Sequence, residues 1–90
     1  MKVSFDETKR LWTLENRGLD FVDAPEILKG VHIVLEDDRK PYPEPRFLAY
    51  GFVDNRLVMF AFTPIPDGIR VFSMRKCNAR EQRKFDHWVG

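Results

Sequence analysis

At 90 residues, with 43% hydrophobic and 13% aromatic residues and a formal charge of +1, the chain has the size of one folded domain, residues 1–90, and not the composition of a disordered one. No apolar run approaches the roughly 20 residues a membrane span needs, no signal-peptide core follows Met1, and the single Cys77 excludes an internal disulfide framework. The expectation is a soluble cytoplasmic protein whose modest core a partner would help to stabilise.

Val3-Ser4-Phe5 reads as a short strand. Asp6 is a good N-cap for a helix from Glu7 to Asn16 or Arg17, with Leu11 and Leu14 on its inward face and Gly18 as its stop. A shorter helix is expected over Val22–Lys29. Asp20 or Asp23 caps it, Pro25 fits its first turn, Ala24, Ile27 and Leu28 form its apolar stripe, and Gly30 ends it. Val31–Glu36 is mostly β-branched and reads as a strand. Glu36–Pro45 is a polar loop whose three prolines forbid regular structure. Three strands follow, Arg46–Asp54, Leu57–Thr63 and Ile69–Lys76. A tight hairpin at Asp54-Asn55-Arg56 and a longer turn at Pro64–Gly68 join them. The last helix spans Ala79–Trp88, with Asn78 as cap and Glu81 in a variant of the capping box.

The order β-α-α-β-β-β-β-α predicts an α+β domain, an antiparallel meander with helices mainly on one face. Leu57, Met59 and Ala61 alternate with Val58, Phe60 and Phe62, so both sides of that strand are apolar. It is expected to be central and covered on both faces, in part by another protein.

Charge is distributed unevenly. Residues 69–90 hold six Lys/Arg against two acids, and residues 1–68 hold nine against twelve. Arg70, Arg75, Lys76, Arg80, Arg83 and Lys84 surround one strand–helix junction, a setting suited to phosphate. Strand alternation assigns Arg70, Phe72, Met74 and Lys76 to one face and Val71, Ser73 and Arg75 to the other. Arg46, on a neighbouring strand, can approach them. Guanidinium forks suit RNA because they bind phosphate oxygens at two points and stack on bases. The competing reading of each arginine is a surface ion pair with Glu44, Asp37 or Asp38.

Other chemistries lack their signatures. His32 and His87 stand far apart, and neither HExxH nor CxxC occurs. The glycines are isolated, and Ser4 and Ser73 sit in strands without a nucleophile elbow. His32 falls on the polar side of a strand, His87 near the tail reads as solvated, and Cys77 reads as a small packing residue. Trp12 and Trp88 read as packing or partner-binding anchors rather than base-stacking platforms.

Several segments are similar to one family. They are Phe5-Asp6-Glu7 with Lys9; Gly18-Leu19 with Phe21 and Ala24; Asp38-Arg39, Glu44, Arg46-Phe47 and Gly51; and Ile69–Lys76 followed by Arg80-Glu81 and Arg83. In this order and at these separations they resemble the BrnT family, toxins of BrnT/BrnA type II toxin–antitoxin systems with a RelE-like ribonuclease fold. The chain departs from the family at Asn16-Arg17, where Lys-His is common, at Pro43 for Gly, and at Asn78 for a capping Thr.

The resemblance implies an mRNA-cleaving toxin that uses neither metal nor cofactor. Arg70, Arg75 and Lys76 would stabilise the phosphate and transition state, Arg46 would assist, and Glu44 is the remaining general-base candidate. Ser73 would hydrogen-bond the substrate, Arg17 would meet RNA or the partner, and Arg80 and Arg83 would add RNA contacts. Arg17 cannot act as a base. The implied partner is a BrnA-like ribbon-helix-helix antitoxin, with operator DNA bound only through the complex. The alternative is a catalytically inactive toxin-like module that binds the antitoxin and co-represses. Arg17 in place of histidine favours that alternative.

Overall fold

The computed structural model describes residues 1–90. The elements are β1 (Lys2–Ser4), α1 (Glu7–Arg17), a 3-10 turn (Phe21–Asp23), α2 (Ala24–Lys29), β2 (Ile33–Glu36), β3 (Phe47–Val53), β4 (Arg56–Ile65), β5 (Gly68–Lys76) and α3 (Ala79–Val89). The five strands form one sheet in the order β1-β5-β4-β3-β2. The architecture is α+β, with β2 to β5 as an antiparallel meander. β1 adds to the edge of β5 in parallel. It comes so close that a Cβ on Gly68 would collide with the Lys2 backbone. No helix is long and apolar enough to cross a membrane.

Local chemistry accounts for the element ends. Asp6 accepts a hydrogen bond from the Lys9 amide at 3.2 Å, and Gly18 closes α1 at φ 67°. Asp54 and Asn55 both take positive φ, as a two-residue hairpin matched to strand twist requires. The expected long turn at 64–68 is shorter than predicted, because β4 runs on through Pro64 and Ile65. Pro64 is tolerated there because β3 pairs only as far as Phe62, so its missing N–H costs the β3–β4 ladder nothing.

β4 is central, and Leu57 to Thr63 are all buried. One face carries the larger core, in which Val58, Phe60 and Phe62 meet Phe21, Ala24 and Ile27, with Val71 and Met74 alongside. The opposite face carries Leu57, Met59, Cys77 and Phe85, with Leu48 and Tyr50 against them. The helices are therefore not gathered on one face, because α3 turns back after Cys77 and seats Phe85 on the far side. Burying a phenylalanine such as Phe21, Phe60 or Phe85 contributes about 1.5–3 kcal/mol.

The inward face of α1 differs from the expected one. Thr13 is buried, while Leu11 and Leu14 are 46% and 40% exposed. Arg10 explains the rotation. Its guanidinium holds Asp20 through bonds of 2.9 and 3.1 Å and caps the chain's turn after α1, which brings residues 10, 13 and 17 toward the sheet.

Candidate active site

Strand alternation fails at one point in β5. Ala61 pairs with Ser73 but Phe62 pairs with Val71, so Phe72 is the extra residue of a β-bulge. The bulge reverses the face of everything before it. Arg70 (opposite Thr63), Ser73 (opposite Ala61) and Arg75 (opposite Met59) share one face of the sheet. Lys76, opposite Val58, lies on the other face and is exposed. The split expected from alternation, Arg70 with Lys76 and Ser73 with Arg75, is corrected accordingly.

On that shared face, α3 covers the Leu57–Met59 end. The Ala61–Thr63 end is left to side chains. Arg46 precedes β3, and its guanidinium carbon lies 3.9 Å from the Phe72 ring centroid and 4.2 Å from that of Tyr42. β4 lies between their strands, so this side chain spans it. Arg46 forms no ion pair, and its buried Nε has no hydrogen-bond partner. Arg70 is also free of carboxylates; its Nη1 donates to Ser4 Oγ at 2.8 Å.

The loop before β3 is fastened at both ends. Arg39 makes a two-point pair with the buried Asp37 at 2.7 and 2.9 Å, which holds the Asp37 carboxyl below its usual range. The Asp37 amide donates to the Arg46 carbonyl at 2.8 Å, and the Thr63 hydroxyl donates to the Pro45 carbonyl. Glu44 is half-buried between Pro43 and Pro45 and lines the open concavity of about 730 Å³ that this loop encloses.

Arg75 is committed elsewhere. Its guanidinium grips Glu81 at 2.7 and 2.8 Å, while Glu81 also accepts from the Asn78 amide in a complete capping box. The Arg75 hydrogen bonds, chiefly, pull the Glu81 carboxyl down to about 2. Arg80 and Arg83 are exposed on α3, beside Lys84, His87 and Trp88. The six cations of the junction therefore do not converge: Arg70 bonds Ser4, Arg75 locks the corner, and the others face solvent.

Arg17 reaches the sheet from α1. Its Nη1 donates to the Met74 carbonyl at 2.9 Å, and its guanidinium carbon lies 5.0 Å from the Trp12 ring. Between α1 and the bulge is a cleft of about 310 Å³, lined by Thr8, Lys9, Trp12, Thr13, Arg17, Phe72 and Ser73. The sequence does not mark Phe72 as a bulge residue, nor the grouping of Lys9 with Trp12. Lys9, Trp12 and Arg17 cover little more than two helical turns, a spacing that gives the only advance signal.

No three His, Cys, Asp or Glu side chains gather as metal ligands. Cys77 is buried, and burial, its largest cause, raises the thiol to about 11. His32 is exposed just before β2, with Nδ1 2.8 Å from the Gly30 carbonyl oxygen.

Residues 5–81 match the model of a family described as the ribonuclease toxin, BrnT, of type II toxin–antitoxin systems. Comparison with curated proteins finds no match.

Proposed function

This chain belongs to the BrnT family of ribonuclease toxins of type II toxin–antitoxin systems, and from that premise we propose that it cuts RNA on the face shared by Arg46, Arg70 and Ser73. Membership implies RNA targets and an antitoxin partner. The single observation that carries the assignment is that Arg46, set against the Phe72 ring, and Arg70, opposite Thr63, both stand without carboxylate partners.

In this reading the reaction, as the family resemblance implies, needs no metal. The substrate's 2′-hydroxyl attacks the adjacent phosphorus, the O2′–P bond forms and the P–O5′ bond breaks. The products are a 2′,3′-cyclic phosphate and a 5′-hydroxyl. Arg46 and Arg70 hold the non-bridging oxygens and stabilise the charge that grows on them. Stacking on Tyr42 and Phe72 fixes the Arg46 plane in advance, so little reorganisation accompanies the reaction. Glu44 takes the 2′-hydroxyl proton from a loop that two prolines stiffen, and the leaving oxygen takes its proton from water. Ser73 hydrogen-bonds the substrate. Arg75 serves the fold rather than the phosphate. Lys76, Arg80 and Arg83 add long-range attraction for a polyanion.

The partner in this reading is a BrnA-like ribbon-helix-helix antitoxin, and the complex rather than this chain binds operator DNA. Exposed Leu11 and Leu14 on α1, and Val34 and Leu35 on the edge strand β2, offer two separate apolar surfaces for such a partner. The setting is the cytoplasm, with a RelE-like fold that acts as a single domain.

The experiment is cleavage of single-stranded RNA in the presence of a chelator by wild type, Arg46→Ala and Arg70→Ala. Loss in both folded variants supports the site, and equal rates in all three would remove it. A second reading, a non-cleaving module that only binds its antitoxin, draws on Arg17, which is held to a backbone carbonyl and cannot accept a proton as a base. Growth arrest on induction of the chain in a bacterial host separates the two readings.

A further inference from the structure

The α1–bulge cleft has a composition unlike that of the other depressions around the site. It holds two rings (Trp12 and Phe72), two cations (Lys9 and Arg17), three hydroxyls and no carboxylate. The concavity under the Glu36–Arg46 loop, by contrast, mixes the carboxylates of Glu36, Asp37, Asp38 and Glu44 with the cations Arg39, Lys40 and Arg46, and Arg39 is spent on Asp37. An anion meets both repulsion and attraction in the loop concavity and only attraction in the cleft. At about 310 Å³ the cleft lies at the small end of ligand pockets, which run from about 300 to 1,000 Å³. That is room for one nucleotide, not for a duplex.

Its polar groups are still available. The Thr13 hydroxyl is spent on the Lys9 carbonyl at 2.8 Å, but the Thr8 and Ser73 hydroxyls have no protein partner. Trp12 is 52% exposed, with the Arg17 guanidinium set against its ring, so it is not the packing anchor expected of it. Phe72 belongs to both regions, since it lines the cleft and carries the Arg46 contact. The cleft therefore borders, through Phe72, the place where the proposed reaction sets the phosphate.

We propose that this cleft is a nucleobase subsite. An unpaired purine of the RNA strand stacks on Trp12, Lys9 and Arg17 meet the phosphate beside it, and the scissile phosphodiester lies on the Arg46–Arg70 face. The inference rests on the ribonuclease reading and extends it to substrate choice. Stacking requires a base pulled free of its neighbours, so the substrate is single-stranded. A purine overlaps the indole over more area than a pyrimidine does. Thr8 and Ser73 can each donate or accept, so adenine and guanine are treated alike. Trp12 thereby helps to set where the strand is cut.

The test uses the full chain in a Trp88→Phe background, where Trp12 is the sole tryptophan. Oligoadenylate and oligouridylate carrying 2′-O-methyl groups bind without being cleaved. The expected result is quenching of Trp12 by oligoadenylate, with oligouridylate binding more weakly. Trp12→Ala, made with Trp88 intact and followed by anisotropy of a labelled oligoadenylate, is expected to weaken binding about 5- to 100-fold. Trp12→Phe recovers part of that loss. On unmodified RNA, Trp12→Ala is expected to raise KM more than it lowers kcat and to blur the preference for purine-flanked positions. Oligoadenylate bound at saturation with Trp12 unchanged, or a folded Trp12→Ala variant that binds and cuts like wild type, overturns the subsite. If wild type cuts RNA but Trp12 does not respond, the subsite falls and the nuclease reading survives. If Trp12 is quenched but RNA is never cut, the subsite stands and the nuclease reading falls.

Discussion

The guanidinium carbon of Arg46 lies 3.9 Å from the centroid of the Phe72 ring, a contact that reaches from the residue just before β3 across β4 to β5. It aligns a cation whose Nε is buried and whose charge no carboxylate neutralises. Arg46→Ala is expected to lower kcat/KM for RNA by about 100- to 1,000-fold, the usual effect of losing one preorganised charge donor. Arg46→Lys keeps the charge but loses the planar stack, and is expected to recover less than a tenth of the lost rate. Full activity of the lysine variant would show that charge alone suffices and that the Phe72 contact has no catalytic consequence.

Histidine takes no part in this arrangement. His32 precedes β2 and meets the Gly30 carbonyl, and His87 lies among the cations of α3. The double variant His32→Ala/His87→Ala is expected to cut RNA within about twofold of wild type, as for surface substitutions away from a site. A drop of more than tenfold with the fold intact would mean that an imidazole, not Glu44, moves the proton.

The ends of the elements were legible because single residues write them. Asp6, Gly18 and Asn78 each carry out the capping that their chemistry announces. The faces were less legible. A bulge adds one residue without leaving a pattern, since Phe72 and Ser73 fit either side of a strand. The face of Arg70 relative to Arg75 therefore could not be counted out along the chain. The sequence of α3 marks Phe85 as apolar but does not say which side of the sheet will receive it. In α1 the two leucines looked like the buried stripe, yet the Arg10–Asp20 pair rotates the helix so that Thr13 goes in. The sequence marks Arg75 by the cations around it, but shows its partner Glu81 only as a capping residue. The same carboxylate does both tasks.

That double duty gives stability a pH dependence. Glu81 sits at about 2 in the folded chain against an ordinary 4.5, chiefly through the Arg75 hydrogen bonds. A carboxyl with a depressed folded value stabilises the fold fully above its unfolded value, and that contribution is lost as pH falls through the folded one. Urea midpoints are expected to be flat at neutral pH and to fall from about pH 5 toward pH 2. Glu81→Gln is expected to cost about 1–2 kcal/mol at neutral pH and to flatten part of the acid limb. An acid limb of unchanged height in the variant would assign it to other carboxylates, such as Asp20 or Asp37.

Cys77 is buried at the strand–helix corner, where its amide donates to the Leu57 carbonyl at 3.0 Å. Burial raises its thiol to about 11, so almost none is thiolate near neutrality. A thiol reagent at about pH 8 is expected to leave the folded chain unmodified and to label it promptly in denaturant. Fast labelling of the native chain would show that α3 opens away from the sheet.

The loop that carries Glu44 and Arg46 depends on one buried acid. Asp37 has a side chain only 1% exposed and is gripped by Arg39 at 2.7 Å. Removing the carboxylate frees Arg39 and leaves the loop with its backbone bond from Asp37 to Arg46 and the Thr63 hydroxyl bond to Pro45. Asp37→Ala is expected to cost about 1–3 kcal/mol, the penalty for breaking a buried charge-assisted contact. Its effect on cleavage should exceed that of an equally destabilising core change such as Val58→Ala, because it also lets Glu44 and Arg46 drift from the phosphate. Arg39→Ala, which strands the buried carboxylate, is expected to destabilise at least as much as Asp37→Ala. If Asp37→Ala and Val58→Ala, matched for stability, cut RNA equally well, then the loop's anchoring matters to the fold alone and Glu44 loses its claim to the proton.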